Sequence, residues 1–384
     1  MELESETRVD KTPFIFGRMA EFENFTNRHH ERKQLEQNFQ ALINTMIISP
    51  RRWGKSSLVK RVSNDVMTKH KRLKVCHIDL YNVRSEAEFY AQLATMVIKS
   101  TSSRWEEWLK LSREFLSHLR PQISFSGDMH EDISFDVEWD KVKQSPDEII
   151  DLAEKIAVAK DIKIVVCIDE FQSIGDFKDS LAFQRKLRSH WQKHQHVCYC
   201  LYGSKRHMLL DIFTNASMPF YRFGDIILLD KISNEQWGKF ICERFLTTGK
   251  TISMKQACYL ANMVDNHSYY VQQLAQQVWL RTAKVCDFEI IDTAMENVKN
   301  QLSLLFINMV DTLTARQLSF LKAVLDGVTK YSSMDILKEY SLGTSANVKR
   351  IKDALQEKEI IDISGNNIQI LDPLFKYWLV HDYY

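Results

Sequence analysis

Residues 45–61 read TMIISPRRWGKSSLVKR, a short apolar run that turns into a basic helical stretch through Gly54, Lys55 and Ser56. No other segment confines the fold as tightly. A strand that enters a tight turn and then a helix aims several backbone N–H groups at one point, and the helix N-terminus adds about half a positive charge there. A lysine opening that helix reaches β- and γ-phosphates, and the hydroxyl after it can hold Mg2+. Lys55 and Ser56 are those residue types in that order. The full pattern, G-x-x-x-x-G-K-[ST], is met except that Ser49 stands at its first glycine.

A second element supports this reading. In IKIVVCIDEFQSI (162–174) an apolar strand ends in Asp169 and Glu170. An acid at the carboxyl end of a buried parallel strand lies on the ligand side of such a sheet. Asp169 is expected to hold Mg2+ there, and Glu170 to orient or deprotonate an attacking water. Ser204, after the strand VCYCLYG, reads either as a γ-phosphate contact or as a helix N-cap. Arg222, just before the strand DIILL, reads either as a charge stabiliser, in its own subunit or a neighbour's, or as a surface arginine near a turn.

Around these motifs strands alternate with helices up to about residue 230. The expected strands are 44–48, 73–83, 162–169, 197–203 and 225–229, with helices at 25–42, 55–70, 85–100, 147–159, 180–194 and 205–213. Such alternation specifies an α/β fold with a parallel sheet covered on both faces. Residues 101–145 read as an inserted helix and hairpin. From 233 the pattern becomes helical only, at 233–246, 253–264, 268–283 and 288–306. The last 70 or so residues read as three helices, a hairpin with Gly365, Asn366 and Asn367 at its tip, and a terminal helix, the winged variant of helix-turn-helix. The expected domains are an extended leader (1–20), a P-loop core (21–232), a helical lid (233–309) and a winged helix (310–384).

Net charge is +1 over 384 residues, so no global field draws the chain to nucleic acid or a membrane. The seven cysteines form no CxxC pair and read as reduced thiols. The acidic, polar start MELESETRVD does not read as a signal peptide, and no stretch is apolar for the roughly 18–20 residues a membrane span needs. A cytoplasmic location is expected.

The order of FTNRHHERKQL, PRRWGKSSLV, CIDEFQSI, YGSKRHMLLDIF, PFYRFGDIILL, NHSYYVQQLA and DPLFKYWL resembles the archaeal-type ATPases, in the STAND branch of AAA+-like P-loop ATPases. The resemblance spans nearly the whole chain. It implies ATP and Mg2+ as ligands, a nucleotide-binding core, a helical lid and a C-terminal winged helix. It assigns Ser49, Pro50, Arg51, Arg52, Trp53, Gly54, Lys55, Ser56 and Ser57 to the phosphate loop, Arg28 to the adenine side and Tyr269 to the lid. The departures from the family pattern are Ser49 at the first loop glycine, Asn27, where a glycine before Arg28 is usual, and Asn266-His267-Ser268-Tyr269, where the lid motif is commonly Gly-x-Pro-Tyr.

The function these features predict is a slow, Mg2+-dependent ATPase whose cycle moves lid and winged helix against the core. The alternative is a nucleotide-gated switch with little turnover. A P-loop kinase reading lacks an acceptor site. Partners left open are DNA or a protein through the winged helix, where Lys349, Arg350, Lys352 and Lys358 are diluted by Asp353, Glu357 and Glu359, and a nucleotide-dependent homo-oligomer.

Overall fold

The computed structural model describes residues 12–19, 25–102, 107, 111, 122–125, 133–136, 146–365 and 367–384. They form two compact units, Arg28–Asp230, and the residues up to Asn27 together with Lys231–Tyr384.

The first unit runs α1 (His29–Ala41), β1 (Thr45–Ile48), α2 (Lys55–Lys69), β2 (Leu73–Asp79), α3 (Glu86–Thr101), β3 (Gln122–Phe125), β4 (Ile133–Asp136), α4 (Pro146–Ile150), α5 (Leu152–Lys160), β5 (Lys163–Asp169), a 3-10 helix (Phe171–Asp176), α6 (Ser180–Trp191), β6 (Val197–Gly203), α7 (Arg206–Thr214) and β7 (Asp225–Leu228). Five strands make one sheet in the order β2-β5-β6-β1-β7. Every pairing in it is parallel. Each neighbouring pair is therefore joined by a crossover, and all carboxyl ends share one edge. Ile164 to Ile168 and all of β6 are buried, as strands covered on both faces must be. Phe171, Trp191, Tyr199, Phe213, Phe220 and Phe223 close one side, with the Trp191 and Tyr199 rings stacked at 3.9 Å.

Two local differences from the sequence reading have clear causes. The expected helix over 147–159 is broken at Asp151, whose backbone sits at φ −88°, ψ 0° and whose Oδ1 meets His190 Nδ1 at 2.8 Å and His194 Nε2 at 3.0 Å. The 3-10 helix after β5 follows from Glu170, which turns the chain with φ +51°. The inserted hairpin is present as the antiparallel pair β3–β4. The helix expected before it, and the Gly-Asp turn within it, lie outside the described residues.

The second unit holds α8 (Asn234–Leu246), α9 (Met254–Met263), α10 (Ser268–Arg281), α11 (Phe288–Asp311), α12 (Ala315–Leu325), α13 (Met334–Glu339), α14 (Ser345–Glu357), β8 (Ile361–Ser364), β9 (Asn367–Ile370) and α15 (Pro373–Trp378). One hydrophobic core runs through it, from Phe14 and Trp237 to Phe375 and Leu379. Phe306 on α11 carries that core across, with its ring 5.6 Å from Phe375 and 5.9 Å from Trp378. Phe14, in the leader, is buried against Phe240 and Phe245. The wing turn is tighter than expected: Asn367 is not at the tip but opens β9, paired with Ser364. Gly365, at φ +60°, supplies the positive φ such a short turn needs.

Candidate functional site

β1 ends at Ile48, and residues 49–54 form the loop that feeds α2. Gly54 sits at φ +94°, a backbone conformation that side-chain-bearing residues rarely adopt. No side chain caps α2, whereas Ser233, Ser253 and Thr314 cap α8, α9 and α12 with full capping boxes. The N-cap of α2 is a glycine with no side chain to offer, and a helix N-terminus opened this way after a strand and loop is suited to binding anions.

Lys55 is buried, and its Nζ donates to Ser49 O at 3.0 Å, Ser49 Oγ at 3.3 Å and Pro50 O at 2.8 Å. Its ammonium is thereby folded into the curl of the loop on three neutral oxygens, a set that anionic phosphate oxygens outcompete. Ser49 is absent from the left-handed region, so serine is unstrained where the pattern has glycine, and its hydroxyl joins the lysine cage. Arg52 takes the left-handed turn instead, at φ +62°. Ser57 is buried on the first turn of α2. Arg28, buried and at φ +63°, pairs with Glu31 at 3.1 Å and donates to Trp53 O at 3.3 Å, which ties it to the loop.

Ser56 Oγ donates to Asp169 Oδ2 at 2.8 Å, and Glu170 N donates to Asp169 Oδ1 at 2.8 Å. Burial pushes the Asp169 carboxyl up to about 6, against the pull of these two hydrogen bonds; the Glu170 carboxylate adds to the rise and Lys55 opposes it. A hydroxyl and a carboxylate meeting at a half-buried point are hard oxygen donors of the kind Mg2+ takes, so the residues fit that ion.

Glu170 is held by one oxygen. Its Oε2 accepts from Ser204 N at 3.2 Å, from Ser204 Oγ at 2.9 Å and from Gln172 Nε2. Arg51 Nε donates to Ser204 Oγ at 3.2 Å, which links the loop of residues 49–54 to the Glu170 carboxylate through one hydroxyl. Ser204 is not a helix cap, because the residue flanking α7 is Lys205 and no side chain bonds there. Gln172 had no role in the sequence reading. The signal was present in the DEFQ motif, but its geometry depends on the turn at Glu170.

One expected site residue, Arg222, is not at this edge. β7 runs parallel to β1 with Asp225 opposite Thr45 and Leu228 opposite Ile48. Arg222 therefore precedes the amino end of β7, while the loop follows the carboxyl end of β1, about 13 Å of extended strand away. Its exposed guanidinium lies over the Tyr221 ring at 5.1 Å. That corrects the reading of Arg222 as a residue of its own chain's phosphate site. Tyr269 belongs to the second unit, where its ring meets Phe16 at 5.8 Å and Tyr270 at 5.2 Å.

The chain's fold is shared with solved structures. The Walker-type ATPase of Pyrococcus abyssi superposes with a TM-score of 0.66 at 18% identity, covering 96% of this chain and 99% of that one. The Aeropyrum pernix ORC2 protein does so in its ADPNP-ADP complexes, with a TM-score of 0.56 at 11% identity over 95% and 94% of the two chains. Its ADP form gives 0.53 at 12% identity over 90% and 91%. The family model described as "Probable winged helix domain" matches residues 304–381. No curated protein matches this chain. The fold is thus that of archaeal Walker-type ATPases, an α/β P-loop core followed by helices and a winged helix. Among the described residues no helix is long and apolar enough to cross a membrane.

Proposed function

We propose that this chain is a cytoplasmic Mg2+-dependent ATPase, and the observation that carries the reading is the convergence of Lys55, the Ser56–Asp169 pair and Glu170 on one edge of a parallel sheet. The loop N–H groups and Lys55 bind the β- and γ-phosphates. Ser56 Oγ and Asp169 hold the cation. Mg2+, when bound, supplies positive charge against the triphosphate. Glu170 orients a water for attack on the γ-phosphorus and takes its proton as the bond to the β–γ bridging oxygen breaks. Arg28 and Tyr269 serve the adenine side and the lid. The ADPNP and ADP bound by the Aeropyrum relative support an adenine nucleotide as the ligand.

Arg222 lies on the opposite edge of the sheet and is exposed, which favours a role toward a neighbouring copy over one in its own chain. A nucleotide-gated switch with little turnover is the second reading. In either case the winged helix offers a partner surface. α14 buries Val348, Ile351 and Leu355 and exposes Lys349 and Arg350 beside Asp353 and Glu357. A salt titration of duplex binding separates a DNA partner from a protein one.

The deciding experiment is calorimetric titration of ATP with and without Mg2+, joined to phosphate release. Binding that needs Lys55 and turnover that needs Mg2+ support the proposal. A Lys55→Ala protein with wild-type affinity overturns it, because losing a charge-assisted bond to phosphate costs about 1.5–3 kcal/mol, roughly 10- to 100-fold.

A further inference from the structure

We propose that Gln172 is the positioning residue for Glu170, and that Gly203 lacks a side chain because the Gln172 amide occupies its place. The inference rests on the hydrolysis reading above and adds a residue to it.

Gln172 is 4% exposed and opens the chain's return from the Glu170 turn. Its Nε2 donates to Glu170 Oε2, while its Oε1 is buried with no hydrogen-bond partner. Leaving a buried amide oxygen unpaired costs stability, so packing alone favours an apolar residue here. The opposite amide orientation would place Oε1 against the carboxylate, so the contact with Glu170 decides which way the amide points. Across from it, a Cβ on Gly203 would lie 1.9 Å from Gln172 Oε1, 3.0 Å from its Cδ and 3.2 Å from Glu170 Cα. Gly203 has no positive φ, so the requirement for glycine is one of space and not of backbone.

The consequence is directional. Gln172 and Ser204 all bond one carboxylate oxygen, Oε2, and Oε1 accepts no hydrogen bond among the described residues. The carboxylate is fixed in rotation with one oxygen turned to the protein and the other left for a water proton. A correctly held base is worth orders of magnitude in rate, and a loosened one loses it without changing substrate affinity.

The test uses Gln172→Leu, which keeps apolar volume and removes the amide, and Gly203→Ala, which keeps Gln172 but crowds it out. Each is measured for kcat, KM, ATP affinity and Tm, alone and in a Glu170→Gln background. In the wild-type background we expect kcat to fall about tenfold or more with ATP affinity held within about twofold. Tm for Gln172→Leu stays level or rises. In the Glu170→Gln background neither substitution lowers the residual rate further. An unchanged kcat, an equal fall in both backgrounds, or a fall in kcat that tracks a loss of affinity and Tm overturns the inference while wild-type turnover leaves the hydrolysis reading standing. A wild-type protein that binds ATP without any turnover overturns both.

Discussion

Ser56 and Asp169 stand 113 residues apart in the chain and 2.8 Å apart in space, with the hydroxyl donating to the carboxylate. The contact joins the first turn of α2 to the end of β5, two elements with another strand between β1 and β5 in the sheet. It also holds an acid where water cannot fully solvate it, and that has a measurable consequence.

With its carboxyl raised from 3.8 to about 6, Asp169 disfavours the folded state in its ionised form. The cost is fully present above pH 6 and vanishes below about 3.8, the reverse of an ordinary salt-bridged aspartate. Asp169→Asn should therefore stabilise the metal-free protein at pH 7, by at most about 3 kcal/mol, while abolishing Mg2+-dependent turnover. Urea unfolding of the two proteins at pH 7 checks the sign, and a destabilised variant refutes it.

Glu170→Gln should retain ATP affinity, since the carboxylate bonds Ser204 and Gln172 and not the loop. Its turnover should fall about 100-fold or more, the range general bases contribute. Single-turnover phosphate release reads the result, and an unchanged rate removes Glu170 from the mechanism.

His77 on β2 has its pKa lowered from 6.5 to about 4, first by burial and then by Lys60, and its Nε2 is buried without a partner. The fold prefers the neutral ring, so its contribution is intact above pH 6.5 and is lost as pH falls toward 4. Between pH 7.5 and pH 5 this group should cost about 2 kcal/mol of stability. His77→Leu should remove that part of the acid sensitivity. Denaturant midpoints at the two pH values, compared between the proteins, measure it.

Asp372 accepts from Leu374 N at 2.9 Å and Phe375 N at 3.0 Å, and its second oxygen takes the Tyr270 hydroxyl. Asp372→Ala loses a helix cap and the bond to α10 together, so it should destabilise by about 2–3 kcal/mol. Tyr270→Phe, which removes only the bond, should cost about 1 kcal/mol. Equal losses for the two would show that the cap contributes nothing.

The parts of the fold legible in sequence are those written in local residue order. The strand–loop–helix around Lys55, the apolar β5 ending in Asp169 and the alternation of strands with helices all need only neighbouring residues to be read. Sheet order is different, since β1 lies between β6 and β7 through pairings of residues some 150 positions away or more. Gln172 was missed for the same reason. Its role depends on Glu170 turning at φ +51° and on the absence of a side chain on Gly203, and neither is visible in the letters FQSIGD. Two of the departures from the family pattern, at Asn27 and Asn266, have a single explanation. Asn27 at φ +59° and Asn266 at φ +55° both adopt the left-handed backbone that glycine takes freely, and asparagine is among the few other residues that enter it readily.

The unbroken core of the second unit has a structural corollary. Helices α8–α10 and the winged helix are joined through α11, the Phe306 ring contacts and the Tyr270–Asp372 bond. These helices and the winged helix thus share one apolar interior and not two.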